Sequence, residues 1–164
     1  MSQDRIESLL IRQRYNAMDP RAAIIAEALT WEGTPYHHQA CVKGVGVDCA
    51  MLLVGIARGC GRIPTDWWPV PYSPEWHYHQ TTELLEQTIL GLGGQKLHTI
   101  GEAPPGAILL FRFGAGQPMS HAGIVLPGAQ LIHAVAPRAV IRHGLRGRWR
   151  RAVVAAYDFP GGQP

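Results

Sequence analysis

Cys49 follows Asp48 at the head of an apolar run, Cys-Ala-Met-Leu-Leu-Val-Gly-Ile-Ala-Arg, a place that suits a thiol for nucleophilic work. A helix beginning there presents unpaired backbone N–H groups and partial positive charge, which favour thiolate over thiol. The same N–H groups stabilise the oxyanion formed when a thiolate attacks a carbonyl. Such a nucleophile needs a base, most often His, and a third group to orient that base. Ser120-His121-Ala122-Gly123-Ile124-Val125 and Leu131-Ile132-His133-Ala134 offer two histidines on successive strand-like segments. If those segments pair through Pro127-Gly128, the imidazoles lie side by side, one as base and one as orienter. Spacing alone leaves a second reading open, in which Cys49 is a small core residue and both histidines are structural.

The elements that would position these residues are short. The chain has 164 residues, 46% of them apolar and 16% charged, enough for one domain with a real core. Its 19 Gly and 13 Pro favour many turns over a long-helix bundle. No apolar run approaches the ~18 residues of a membrane-spanning helix. Asp4 and Glu7 precede the short Leu9-Leu10-Ile11 run, so a secretory signal peptide is not expected and the reading is a soluble protein. Cys41, Cys49 and Cys60 match no common disulfide or zinc spacing.

Residues 1–19 read as an N-terminal extension ending at Asp19-Pro20, which is a helix start with Asp as N-cap and Pro in the first turn. A helix is predicted over 20–31, broken by Gly33-Thr34-Pro35. The stretch 41–47 reads as a loop. A second buried helix follows Asp48, the N-cap, and closes near Gly59 or Gly61. The segment 64–74 reads as a rigid Pro- and aromatic-rich loop, and a third helix is predicted over 75–90. After Pro104-Pro105-Gly106 come five strand-like segments, 107–111, 122–126, 131–135, 139–142 and 152–157. Helices followed by strands predict an α+β domain over 20–160, with N-terminal helices packed on an antiparallel sheet of about five strands and a short tail at 161–164.

Net charge is +3, and Arg138 to Arg151 holds six Arg and no acidic residue. Two readings stand for that stretch: a surface for a polyanion or acidic partner, or a solvated strand face and turn. Aromatics are not interleaved with the basic residues, so nucleic-acid binding is not read from it. His37, His38 and Cys41 lack a second half at metal-ligand spacing, and no metal site is expected. His37 and His38 read as an exposed loop pair. Trp67, Trp68 and Trp76 either wall a substrate groove or cover the sheet.

Gly33-Thr34-Pro35-Tyr36, a glycine-containing loop, Asp48-Cys49 opening a helix, His121-Ala-Gly-Ile-Val and then His133 resemble, in that order, the NlpC-type cysteine peptidases. These are compact papain-like enzymes that cleave peptidoglycan stem peptides. Gly-Thr-Pro-Tyr-His-His-Gln-Ala is most similar to the versions encoded by phage tail clusters and gene transfer agents. The resemblance spans residues 20–158. It implies Cys49 as nucleophile, His121 as base, His133 as the third polar residue and Tyr36 beside the nucleophile, toward oxyanion or substrate. It also implies cleavage between γ-D-glutamate and a diamino acid, with no cofactor, since a thiolate–imidazolium pair takes the place of a Lewis acid. The expected setting is a particle tail, made in the host cytoplasm and acting in the periplasm or cell wall. Residues 1–19 and Arg138–Arg151 would then dock to tail hub or baseplate proteins. Alternatives are a non-catalytic tail component with the same fold, or a tail-assembly protease. The sequence departs from the family pattern where Ser-Gly usually follows the cysteine, having Ala50-Met51, and where Gly-Gly usually follows the tyrosine motif, having Gln39-Ala40.

Overall fold

In the computed structural model, residues 19–73, 75 and 83–161 are described, together with Ile6 and Leu10. The expected extension therefore lies almost wholly outside the described residues, as do Trp76 and most of the tail. Asp19 starts helix α1 (Pro20–Leu29) as its chemistry requires, accepting from the N–H groups of Arg21 and Ala22 at 3.0 and 3.1 Å. Ala23, Ile24 and Ala28 of α1 are fully buried. The stretch expected to be a loop forms a small hairpin instead, β1 (Cys41–Val42) against β2 (Gly46–Val47). Two-residue strands with exposed β1 side chains leave too little periodicity to read.

Helix α2 (Cys49–Gly59) is buried from Ala50 through Ala57 on every side, which is why its sequence is apolar all round rather than striped. Asp48 caps it by accepting from Met51 N–H at 2.8 Å. Gly61 ends it with φ +66°, a left-handed conformation in which Gly61 N–H and Arg62 N–H return to the carbonyls of Arg58 and Ala57. Helix α3 (Leu84–Gly91) covers the later part of the predicted 75–90 helix; residues 76–82 lie outside the described residues.

Among the described residues the sheet has six antiparallel strands, one more than expected. They are β3 (Gln95–Lys96), β4 (Ile108–Phe111), β5 (His121–Leu126), β6 (Gln130–Ala134), β7 (Val140–Gly144) and β8 (Val153–Asp158), in spatial order β3-β8-β4-β5-β6-β7. The added strand, β3, is a two-residue edge piece. Both faces of the sheet are covered. Ile108, Leu110, Ala122, Ile124 and Ile132 pack toward the helices, whereas Leu109, Phe111, Val125 and Leu131 form a second cluster. That cluster is closed by a helix that the sequence reading missed, α4 (Gly147–Ala152), within the Arg-rich stretch. The stretch is thus strand, turn and helix, and Trp149 packs against the sheet from α4.

Alternation along β5 puts His121, Gly123 and Val125 on this second face. Gly123 is glycine because a Cβ there would sit 2.7 Å from Leu131 Cδ1 and 3.0 Å from His133 Cβ. Gly123→Ala is expected to cost about 1–3 kcal/mol through that overpacking. Urea unfolding would measure it, and unchanged stability would show that β5 and β6 can part there freely.

Candidate active site

A cleft of about 640 Å³ opens where the N-terminus of α2 meets the start of β5. Cys49, His121, Tyr36, Tyr72, Arg148 and Trp149 line it. Cys49 comes from the helical side, and the backbone N–H groups of Ala122, Ala50 and Cys49 itself lie toward its sulfur and favour the thiolate. The contact with Ala122 ties the sulfur to the residue directly after His121. His121 Nε2 lies 2.6 Å from His133 Nδ1, so the two imidazoles meet edge to face as β5 and β6 pair. With Nε2 engaged by His133, Nδ1 is the His121 nitrogen left to serve a thiol.

Tyr36 lines the same cleft. Its backbone is fixed by an N–H bond to Arg138 O and by a bridge to Val47. Burial raises its phenol pKa, and negative charge on Cys49 and Asp48 adds to the effect, so the hydroxyl stays protonated and can donate. The structure thus brings Cys49, His121, His133 and Tyr36 to one place.

Asp48 is the polar hub beside them. It is 1% exposed and accepts from Met51 N–H, from Gln39 N–H at 2.7 Å and from the Tyr72 hydroxyl at 2.9 and 2.7 Å. Gln39, at a position where the family usually has glycine, takes φ +56° to make its bond and sends its side chain to Tyr72 O. His38 is not the exposed loop residue expected. Its Nε2 bonds Tyr72 O at 2.9 Å, and its Nδ1 lies 3.5 Å from Asp48. Cys41 turns away from His37 and His38, its thiol bonding Met51 O.

The electrostatics correct one expectation. Backbone N–H groups do point at the Cys49 sulfur, yet burial, reinforced by the charge of Asp48, pushes the thiol up to about 12. Burial, then the positive charge of Arg148, takes His121 down to about 3, and a proton on His143 would act in the same direction. Burial likewise takes His133 to about 2, helped by His121 and His143. Taking either ion out of water outweighs the helix terminus, so the resting pair is a neutral thiol and a neutral imidazole.

Two residues were missed. His143 on β7 approaches His133, Nε2 to Nε2, at 2.8 Å. Trp149 packs on all three imidazoles, with ring centroids 4.4 Å from His133, 5.2 Å from His121 and 5.6 Å from His143. Ending the fourth predicted strand at Arg142 hid His143; carrying its alternation two residues past Ile141 would have found it. Trp67 and Trp68 do not line the cleft. Trp67 packs against the helical core, and Trp68 lies under Arg58 at 57% exposure.

No protein-family model matches the chain, and no curated protein matches it by sequence. Solved structures do match. The NlpC/p60 domain of the peptidoglycan hydrolase SagA superposes with a TM-score of 0.56 at 25% identity, over 83% of this chain and 96% of that one. An NLP/P60-family protein similar to a lipoprotein, from Staphylococcus aureus, gives 0.55 at 22% identity; this chain covers 41% of its length and the match takes in 85% of this chain. RipD of Mycobacterium tuberculosis, a non-catalytic NlpC/p60 domain protein adapted to peptidoglycan binding, gives 0.52 at 16% identity over 86% of this chain and 97% of that one. The fold is the papain-like NlpC/p60 fold, mixed α+β as the sequence implied.

Asp48→Ala strands several donors at once and is expected to destabilise the domain by about 3 kcal/mol, whereas Tyr72→Phe, which removes one, costs about 1 kcal/mol. Thermal or urea unfolding of the two variants would test this; equal losses would mean that the hydroxyl, not the backbone donors, carries the hub.

Proposed function

We propose that this chain is a cysteine peptidase that hydrolyses amide bonds in peptidoglycan stem peptides, between γ-D-glutamate and a diamino acid. The observation that carries the reading is a cleft lined by both helix-N-terminal Cys49 and His121, the latter held by His133 behind it. In the reaction, His121 Nδ1 removes the Cys49 proton as sulfur attacks the scissile carbonyl. The N–H groups at the start of α2 face the carbonyl oxygen as it gains charge, and Tyr36 donates from the cleft wall. His121 then passes its proton to the departing amine, leaving a thioester on Cys49. Water, deprotonated by the same imidazole, releases the acid and restores the thiol.

The peptidoglycan substrate is supported by the structural likeness to the SagA domain. The setting, a phage or gene-transfer-agent tail that meets tail hub or baseplate proteins, is supported by the Gly-Thr-Pro-Tyr-His-His-Gln-Ala motif. A second reading is a wall-binding or tail component without catalysis. The RipD likeness and Ala50-Met51 favour it. Met51 is 1% exposed and fills the core, so one of those departures is a packing residue rather than a lost catalytic group.

Purified peptidoglycan digested by wild type is expected to yield discrete stem-peptide fragments by mass spectrometry. Cys49→Ala should reduce them by about 10³-fold or more while remaining folded. Fragments from neither protein would favour the binding reading, and fragments from both would remove Cys49 from the chemistry.

A further inference from the structure

His121, His133 and His143 form a continuous row across β5, β6 and β7, ending on a backbone carbonyl. The contacts are 2.6 Å between His121 Nε2 and His133 Nδ1, and 2.8 Å between His133 Nε2 and His143 Nε2. The row closes with 2.9 Å between His143 Nδ1 and Gly144 O. We infer that His143, held by the Gly144 carbonyl, is a positioning residue that fixes the tautomers of the whole row and so leaves His121 with a bare Nδ1. This rests on the peptidase reading only for its consequence, not for its geometry.

The Gly144 carbonyl oxygen sets the direction of the row. A carbonyl oxygen has no hydrogen and can only accept, so His143 Nδ1 carries the proton. A neutral His143 then has a lone pair at Nε2, and the contact at that atom must be donated by His133 Nε2–H. A neutral His133 therefore has a bare Nδ1, which accepts from His121 Nε2–H. His121 is left with its lone pair at Nδ1. Each neutral imidazole has one N–H, so the direction set at Gly144 passes unchanged through three rings. Burial keeps His121 and His133 neutral well below pH 7.

The same logic makes the row reversible. A protonated His143 carries N–H on both nitrogens and can no longer accept from His133. His133 must then turn its lone pair to Nε2 and its proton to Nδ1. His121 accepts at Nε2 and carries its proton at Nδ1, where it is no use as a base. His133 is fully buried, whereas His121 and His143 are half-buried, so His143 gives solvent protons a way into the row besides the cleft. The titratable and charged neighbours of His143 are His133 from β6, His121 beyond it on β5, Arg148 beside Trp149 from α4, and Arg146, whose guanidinium packs against Gly144. Cys49 and Asp48 face the far end of the row from α2 and the residue before it. Arg142 is next to His143 in sequence but pairs with Glu32.

The test does not need the natural substrate. Nitrogen-15 NMR of the histidine side chains in the intact protein near neutral pH should show Nε2–H on His121 and His133 and Nδ1–H on His143. A proton on His121 Nδ1 would overturn the inference directly. Alkylation of Cys49 by iodoacetamide then reads the base. In wild type the rate should fall through an acid inflection that coincides with the change of tautomer at His121 seen by NMR. His143→Gln, whose amide oxygen accepts but does not titrate, should keep the neutral-pH rate within about threefold and lose that inflection, whereas His143→Leu, with no acceptor, should slow alkylation at least about tenfold. Wild-type rates and tautomers in His143→Leu would overturn the role, as would an inflection retained in His143→Gln. If His143→Leu does not fold, the wild-type spectrum and the His143→Gln profile still decide. A protein with this tautomer pattern that leaves peptidoglycan intact would sink the substrate assignment and spare the row.

Discussion

A buried carboxylate organises this site, and most of the geometry around Cys49 follows from satisfying it. Asp48 is almost sealed from water, where an unpaired charge is very costly, so every donor around it is committed. Met51 N–H fixes the first turn of α2, Gln39 N–H pulls in the loop after Tyr36, and the Tyr72 hydroxyl closes the other side. Those three segments are distant in sequence, and the carboxylate holds them against one helix start. Gln39 accepts a left-handed backbone to take part, which measures how firmly the hub sets the loop. Tyr36 and Cys49 flank this arrangement, and the Tyr36 N–H bond to Arg138 O and its bridge to Val47 complete the placement of the phenol.

The hub has an electrostatic consequence that the helix terminus does not cancel. A full negative charge one residue from the thiol opposes thiolate formation, and burial opposes it further. Opposite the thiol stands the His121 imidazole, held neutral by the same burial, under Trp149 and next to the Arg148 guanidinium. A neutral thiol and a neutral imidazole line the same half-buried cleft, where separated charge is more expensive than in water. Such a site is quiet at rest and depends on the orientation of its imidazoles more than on a standing ion pair.

Much of this was legible in the sequence because it rests on local rules. Asp19-Pro20 and Asp48-Cys49 are helix starts by capping chemistry, and the structure has both. Five strands follow from alternation or from short apolar runs, and the pairing of His121 with His133 follows from the turn between them. The β1–β2 hairpin and β3 escaped because two residues carry no period. Helix α4 escaped because its stability comes from Trp149 packing on the sheet, a tertiary contact, and its Arg-rich face reads as solvent. His38 was misjudged for the same reason: its partners, Asp48 and Tyr72, lie elsewhere in the chain. Local chemistry is written locally, whereas a side chain whose role comes from distant partners looks like any polar loop residue.

The row of imidazoles shows why the sheet, more than the cleft, governs the chemistry. Its members come from three adjacent strands and must all face α4, opposite the helical core that Ile124 and Ile132 join. Side chains alternate with a period of two, so a one-residue slip of β6 would carry His133 to the helical face and break both contacts. Register is held by the apolar residues on either face, by the tight β5–β6 turn and by the absence of a Cβ at Gly123. Gly144 is the residue of β7 paired with Gln130, the first of β6, so its carbonyl orientation is set by the same ladder. Hydrogen-bond direction in the backbone is thereby handed to the side chains, and the protonation pattern at His121 becomes a property of strand pairing.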